Sequence, residues 1–393
     1  MVDVVQVTKY YPPFRGGVPN YVQWLSQGLA GSYRVTVLTS NTRAVRVEEI
    51  HENLRVIYVP RWKEVRSTAL CPTLPWELSR CRADIVHLHF PDPMAHLAFA
   101  LAGLCGKLVI SWHGDITRQS FLLRFYRRFL RRILRRADAI VVGSPTFRDG
   151  SHLLEGERAR CVVIPYGIDP AKFEPTPAIA AKSKEIRERY GDRTLLFVGR
   201  LIHYKGLEYL LRAMPGLEAK LLVAGIGYLD RPLRRLAAEL GVQGKVEFLG
   251  EVSPQDLVAH LHACTMLVLP SINSSESYGI VQLEAMACSK PVVSTNLPTG
   301  VPWVNQDGRT GFVVPPCDSP ALASAIRCLL DSPRLRHQFG AEGRRRVESE
   351  FTHELHVRRM LDLYWRLRGR ESLPSAVGAS PVAPQAPLGQ GGE

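Results

Sequence analysis

Short apolar runs alternate with longer amphipathic or loop segments along most of the chain. VDVVQV, RVTVLTS, LRVIYV, DIVHLHF, KLVISW, AIVVGS and RCVVIPY come first. After a polar, proline-rich stretch over 169–184 the alternation restarts with TLLFVG, KLLVAG, KVEFLG, TMLVLP and PVVST. This rhythm predicts an α/β chain of parallel sheets wrapped by helices, divided into a domain over 1–168 and another over 169–350. At 393 residues two cores are expected, because a single core stops growing at roughly 250 to 300 residues. The tail over 371–393, rich in Pro, Gly, Ala and Ser, is expected to stay disordered. No apolar run approaches the roughly 20 residues of a membrane-spanning helix, and MVDVVQV reads as a first strand rather than a signal peptide. A cytoplasmic location is therefore expected.

The net charge of +13 suits three anionic partners: a nucleotide diphosphate, an anionic lipid surface and nucleic acid. The densest basic feature is FLLRFYRRFLRRILRR over 121–136. As a helix it puts Leu122, Phe125, Tyr126, Phe129 and Ile133 on one side and Arg124, Arg127, Arg128, Arg131, Arg132, Arg135 and Arg136 on the other. Such a helix suits peripheral attachment to an anionic membrane face; a helix packed on its own sheet with a solvated arginine face is the other reading. No docking motif or aromatics among exposed cations accompany it, so nucleic acid is not an expected partner. Eight cysteines from Cys71 to Cys328, with no C-x-x-C pair, argue against a zinc knuckle and a disulfide framework and read as reduced core residues. His87 and His89 share one face of a strand, but two His without a third ligand make a poor metal site, and none is expected.

The segment over 271–300 carries the strongest chemical signal. Its first half is small and polar, its second half, GIVQLEAMA, a strong helix former, so a helix is expected to begin near 277–279. Free N–H groups at Ser277, Tyr278, Gly279 and Ile280 would then make an anion site, with Gly279 letting a phosphate come close. A helix starting near Glu276 would set Glu276 and Glu284 about 12 Å apart along its axis. A glycosidase pair faces one bond across roughly 5 to 10 Å, so hydrolysis is disfavoured. The two carboxylates fit acceptors for sugar and ribose hydroxyls; a solvated cap and a surface helix residue are the plain alternative. FVGRLIHYKGLEYLL puts Arg200 at a strand end and Lys205 before Gly206 at a helix start, two cations suited to a departing diphosphate. Gly16 and Gly17 mark a turn between the first strand and its helix. His113, in SWHGDI at a strand end, suits a bond to a sugar hydroxyl or a structural role.

Together with GGVPNYV, HGDI and PYGID, the residues Arg200, Lys205, Gly206 and the E-x(7)-E spacing of Glu276 and Glu284 resemble the retaining group 1 glycosyltransferases, family four of the sequence classification. The resemblance covers nearly the whole chain before the tail. It implies a GT-B fold: two Rossmann-like domains with parallel sheets facing across a cleft, and a helix over about 351–370 returning to the first, acceptor-side domain. It implies that Arg200 and Lys205 hold the diphosphate, Glu276 the donor sugar and Glu284 the ribose. His113 would contact the transferred sugar, and Gly16 and Gly17 would give diphosphate and acceptor room. The implied reaction moves a hexosyl group from a nucleotide sugar to a saccharide or lipid-linked acceptor with retention, by a front-face mechanism, without metal or cofactor. SWHGDI, RRADAI and SESYGIVQLEAMA are most similar to bacterial O-antigen mannosyltransferases, so GDP-mannose is the expected donor and a cell-surface polysaccharide or glycolipid the expected product. A UDP-sugar donor, a soluble synthase or 2-epimerase of the same fold, and a non-catalytic sugar-nucleotide binder are the alternatives. Tyr278 and Ser289 stand where many relatives have Phe and Gly.

Overall fold

The computed structural model describes residues 2–14, 16–65, 68–116 and 121–369, without the side chains of 121–125. The tail over 371–393, like Leu122, Arg124 and Phe125 of the basic helix, lies outside the described side chains. The chain is α/β with two parallel-sheet domains. The first sheet takes β1 (Asp3–Thr8), β2 (Arg34–Ser40), β3 (Val47–His51) and β4 (Leu54–Val59). A small hairpin, β5 (Lys63–Val65) with β6 (Thr68–Leu70), follows, and β7 (Ile85–Phe90), β8 (Lys107–Trp112), β9 (Ala139–Val142) and β10 (Cys161–Val163) complete the sheet. Its order is β10-β9-β8-β7-β1-β2-β4-β3, with β3 antiparallel to β4. The second sheet is β13 (Val246–Gly250), β12 (Lys220–Ala224), β11 (Thr194–Val198), β14 (Met266–Leu269), β15 (Val292–Thr295) and β16 (Gly311–Val314), parallel throughout. Strands covered on both faces read as unbroken apolar runs: Leu195, Phe197, Leu221, Val223, Met266 and Val268 share one buried core, and Leu196, Leu222 and Leu267 share another.

The chain divides into two compact units. Of the described residues, the first holds those up to Ser111, Phe121–Ile140 and 357–369; the second holds 112–116 and Val141–His356. Residues 141–168 thus lie with the second unit, where composition alone grouped them with the first. The reason is backbone pairing with a distant segment: Ile168 N–H donates to Phe351 O (2.8 Å), His353 N–H donates to Ile168 O (2.9 Å), and a Cβ at Gly167 would sit 2.3 Å from Thr352 O. The last helix, His353–Leu367, belongs to the second unit through His356 and to the first from Val357.

In the first unit β7 is buried along its whole length despite its two histidines. His87 Nε2 bonds Ser111 Oγ (2.7 Å) and its Nδ1 bonds Tyr364 OH (2.6 Å), while His89 Nε2 bonds Gln6 Oε1 (2.8 Å). Both imidazoles therefore serve buried hydrogen bonds, His87 fastening the last helix through Tyr364 and His89 tying β7 to Gln6 of β1. The cysteines depart from the expectation of core residues. All are free, and Cys71, Cys264 and Cys288 are buried, but Cys105, Cys317 and Cys328 are exposed. Cys105 and Cys317 sit in loops, and Cys328 lies on the outer side of the Ser319–Asp331 helix.

Ser289 follows the helix Ile280–Ala287 with φ 55, a left-handed conformation that disfavours any side chain. Ser289→Gly is expected to stabilise the protein by about 0.5–1 kcal/mol, raising the melting temperature by roughly 1–4 °C. An unchanged or lower melting temperature would contradict this.

Candidate active site

In the second unit, β11 runs into Gly199 and Arg200, and the chain then forms a 3₁₀ turn, His203–Lys205. Arg200 is exposed, and among the described residues no carboxylate pairs with it. Lys205 folds back along Gly199, where a Cβ would lie 3.3 Å from Lys205 Cε. Its Nζ reaches Glu276 Oε2 at 2.5 Å, and the same oxygen accepts from Ser271 Oγ at 2.8 Å. The Lys205 and Glu276 side chains are only 13% and 9% exposed, so the pair is well shielded from water. What brings it together is the backbone: Ile272 N–H donates to Tyr204 O (2.9 Å), and Gly206, at φ 66, packs so tightly that a Cβ would fall 2.0 Å from Pro270 O. The sequence placed Lys205 on the diphosphate and Glu276 on the sugar as separate groups; the structure joins them directly.

The helix starts at Ile280, with Gly279 as its cap at φ 69, ψ 60. Ser277 and Tyr278, expected at its N-terminus, precede it, because the left-handed Gly279 breaks the helical path. The space a Cβ would need at Gly279 is filled by Leu269 (2.6 Å) and Gln282 (2.8 Å), so packing as well as backbone conformation dictates glycine there. Tyr278 is buried, its ring perpendicular to that of Tyr166 at 4.9 Å. Tyr166, in the PYGID motif, carries no chemistry by itself in sequence, yet it organises this corner. Its hydroxyl bonds His113 Nδ1 (2.7 Å), and its ring stacks between His113 (5.8 Å) and His356 (6.1 Å). Burial, aided by His356, pushes the His113 imidazole down to about 3, so it stays neutral and works as a hydrogen-bonding group. Gly114 brings this turn to Ser277, 4.0 Å from the position of its would-be Cβ.

Glu284 lies within the helix, and among the described residues its carboxyl has no hydrogen-bonding or ionic partner. Desolvation raises it from 4.5 to about 7. Since the folded value lies above the unfolded one, the native state holds the proton more tightly, and stability falls as pH rises from about 4 through about 7. Glu284→Gln is therefore expected to stabilise the ligand-free protein by about 1–3 kcal/mol at pH 8 and to make no difference near pH 4. Thermal melts of both proteins across pH check this; parallel profiles would refute it.

Gly16 and Gly17 lie in the first unit at the start of the helix Gly17–Ala30, both exposed, with open space beside Gly17. In the helix Phe121–Arg136, Leu130, Ile133 and Leu134 are buried, and Arg127, Arg128, Arg131, Arg132, Arg135 and Arg136 are exposed. Arg136 is also used in packing, donating to Leu104 O and lying 5.2 Å from the Phe99 ring. The apolar side is thus spent on the fold, and the arginine side is what the helix presents. Among the described residues no helix is long and apolar enough to cross a membrane, and no three His, Cys, Asp or Glu are grouped as metal ligands.

Comparison with known proteins gives this geometry a family. The description of glycosyl transferases group 1 matches residues 179–346, and that of glycosyltransferase family 4 matches 15–172. A D-rhamnosyltransferase of Pseudomonas aeruginosa is 38% identical over 270 residues, 69% of this chain and 70% of that protein. The O-antigen chain mannosyltransferase C of Escherichia coli is 31% identical over 361 residues, 91% of this chain and 96% of that protein. The chain belongs to the group 1 glycosyltransferases. Sucrose-phosphate synthase from Thermosynechococcus elongatus superposes with a TM-score of 0.78 over 94% of this chain and all of that one at 22% identity. This glycosyltransferase therefore has the GT-B fold, with its Lys205–Glu276 pair in the half matched by the group 1 description.

Proposed function

We propose that this glycosyltransferase moves mannose from GDP-mannose to a saccharide or lipid-linked acceptor, with retention, in the synthesis of a surface polysaccharide or glycolipid. The observation that carries the reading is Lys205 held against Glu276, five residues after an exposed Arg200 that has no carboxylate partner among the described residues. As the bond from the anomeric carbon to the diphosphate breaks, its electron pair moves onto the leaving oxygen, where Arg200 and Lys205 stabilise the growing charge. The acceptor hydroxyl bonds to the anomeric carbon on the face the diphosphate leaves and passes its proton to a phosphate oxygen. Glu276 and the neutral His113 hold sugar hydroxyls, and Glu284 accepts from the ribose. With two protein cations on the diphosphate the reading requires no metal, so chelation should leave the rate unchanged. Names of the relatives, a mannosyl- and a rhamnosyltransferase, support the sugar class.

A melting-temperature panel of GDP, UDP, ADP and their sugar conjugates tests the donor, since ligand at 100 times its Kd stabilises by about 2.7 kcal/mol. A response confined to GDP and GDP-mannose is expected; a response to UDP alone would replace the sugar nucleotide. NMR of the product anomer tests retention.

The exposed arginines support work at an anionic membrane surface on the cytoplasmic side. With each cation contributing about 1 kcal/mol, replacing Arg127, Arg128 and Arg131 by Gln should weaken binding to phosphatidylserine-containing vesicles by roughly 100-fold. Equal partitioning of both proteins would remove the membrane from this reading.

A further inference from the structure

A two-substrate reaction needs a second binding place, and the first unit contains a polar cluster that donor chemistry in the second unit leaves unused. It lies at the carboxyl ends of parallel strands, where open α/β sheets bind ligands. Lys9 and Tyr10 follow β1, Arg61 and Trp62 follow β4, and Asp92 follows β7. Glu64, in β5, is the hub: it accepts from Tyr10 OH (2.7 Å) and Arg61 Nη1 (2.8 Å), and Lys9 Nζ lies 3.8 Å away. Arg61 also donates to Thr42 O (3.2 Å), and Trp62 N–H donates to Leu70 O (2.9 Å), so the hairpin base is pinned on both sides. Trp62 is nevertheless 76% exposed, and its ring has no aromatic or cationic partner among the described residues. The backbone beneath the indole is held at Arg61 and Trp62, so the ring is presented to solvent from a tied base.

We infer that Trp62 with Glu64, Tyr10, Arg61 and Lys9 forms the subsite for a pyranose ring of the acceptor. The C–H face of a pyranose is weakly positive and apolar and lies favourably on the negative face of an aromatic ring, while its hydroxyls need fixed donors and acceptors at the rim. Two cations, Lys9 and Arg61, balanced by Glu64 and Asp92 leave the cluster near neutrality, which suits a neutral polyol better than a phosphate. This inference rests on the sugar-transfer reading above and adds where and by what class of group the acceptor is held.

The test titrates the full chain with methyl α-D-mannopyranoside, with and without GDP, using saturation-transfer NMR, and repeats it for Trp62→Ala, Trp62→Phe and Glu64→Gln. Inorganic phosphate is added as a competitor. Saturable glycoside binding is expected in the parent, weakened about tenfold in Trp62→Ala and within about threefold of the parent in Trp62→Phe, with GDP affinity unchanged throughout. Glu64→Gln should also weaken it. Absence of saturable binding in the parent, parental affinity in Trp62→Ala, or displacement of the glycoside by phosphate would each overturn the subsite. GDP affinity is measured on the same samples, so failure of the donor reading appears in the parent's GDP response, whereas failure of the subsite appears in the glycoside titration alone.

Discussion

Lys205→Ala is expected to lower turnover of the sugar nucleotide by about 10²- to 10³-fold with the fold retained. The loss has two parts that can be separated. The ammonium stabilises charge on the departing diphosphate, and it also neutralises the buried Glu276, whose carboxylate would otherwise keep, among the described residues, only the Ser271 hydroxyl. A buried carboxylate deprived of its cation destabilises the protein, so the melting temperature should fall as well. Adding Glu276→Gln to Lys205→Ala should restore much of the stability and none of the rate. Arg200→Ala, by contrast, removes an exposed cation with no carboxylate partner among the described residues, and should cost rate with little change in stability. Steady-state kinetics and thermal melts on the four proteins decide it; parental turnover in Lys205→Ala would remove that residue from the chemistry.

Gly206→Ala is expected to be the most damaging single methyl group near the site. At φ 66 an alanine costs about 1–2 kcal/mol, and a Cβ 2.0 Å from Pro270 O adds about 1–3 kcal/mol more because the atom it meets is backbone, with Ile272 Cγ2 at 2.8 Å beside it. Gly241→Ala is the matched control: its φ is 68, yet nothing lies within 4 Å of the added carbon. The control should lose only the conformational part. If both variants melt alike, the contact with Pro270 is not limiting. Because Gly206 also adjoins Lys205, the variant should bind donor more weakly even below its melting temperature.

The strand runs and the helix within ESYGIVQLEAMA were legible in the sequence because local periodicity specifies them. The candidate cations and carboxylates were legible as residues but not as a cluster. Lys205 meets Glu276 across 71 positions and His113 meets Tyr166 across 53, and both contacts depend on how loops dock, which no local pattern encodes. The same limit hid the pairing of Ile168 with Thr352, so the proline-rich stretch was taken for a boundary that the backbone bridges. His87 and His89 looked like incomplete metal ligands because their partners are distant in the chain: Ser111 and Tyr364, 24 and 277 positions from His87, and Gln6, 83 positions from His89. The helix start was missed by one turn residue: a glycine inside a helix-forming run reads as tolerated, whereas here it adopts a conformation that sets the first helical residue.

The Tyr364–His87 bond also bears on how the chain is made. A ribosome releases the first unit's strands ahead of the second unit, but the helical segment from Val357 that reaches into them emerges only after it. Domains ordinarily complete themselves in order of appearance, at about 5–20 residues per second. Here the unit begun first is finished last, and for some tens of seconds its sheet waits with His87 and its neighbours uncovered. Nascent chains arrested before residue 357 should therefore bind chaperones that chains extended beyond this helix do not, and protease resistance of the first unit should appear only once the segment from Val357 has emerged.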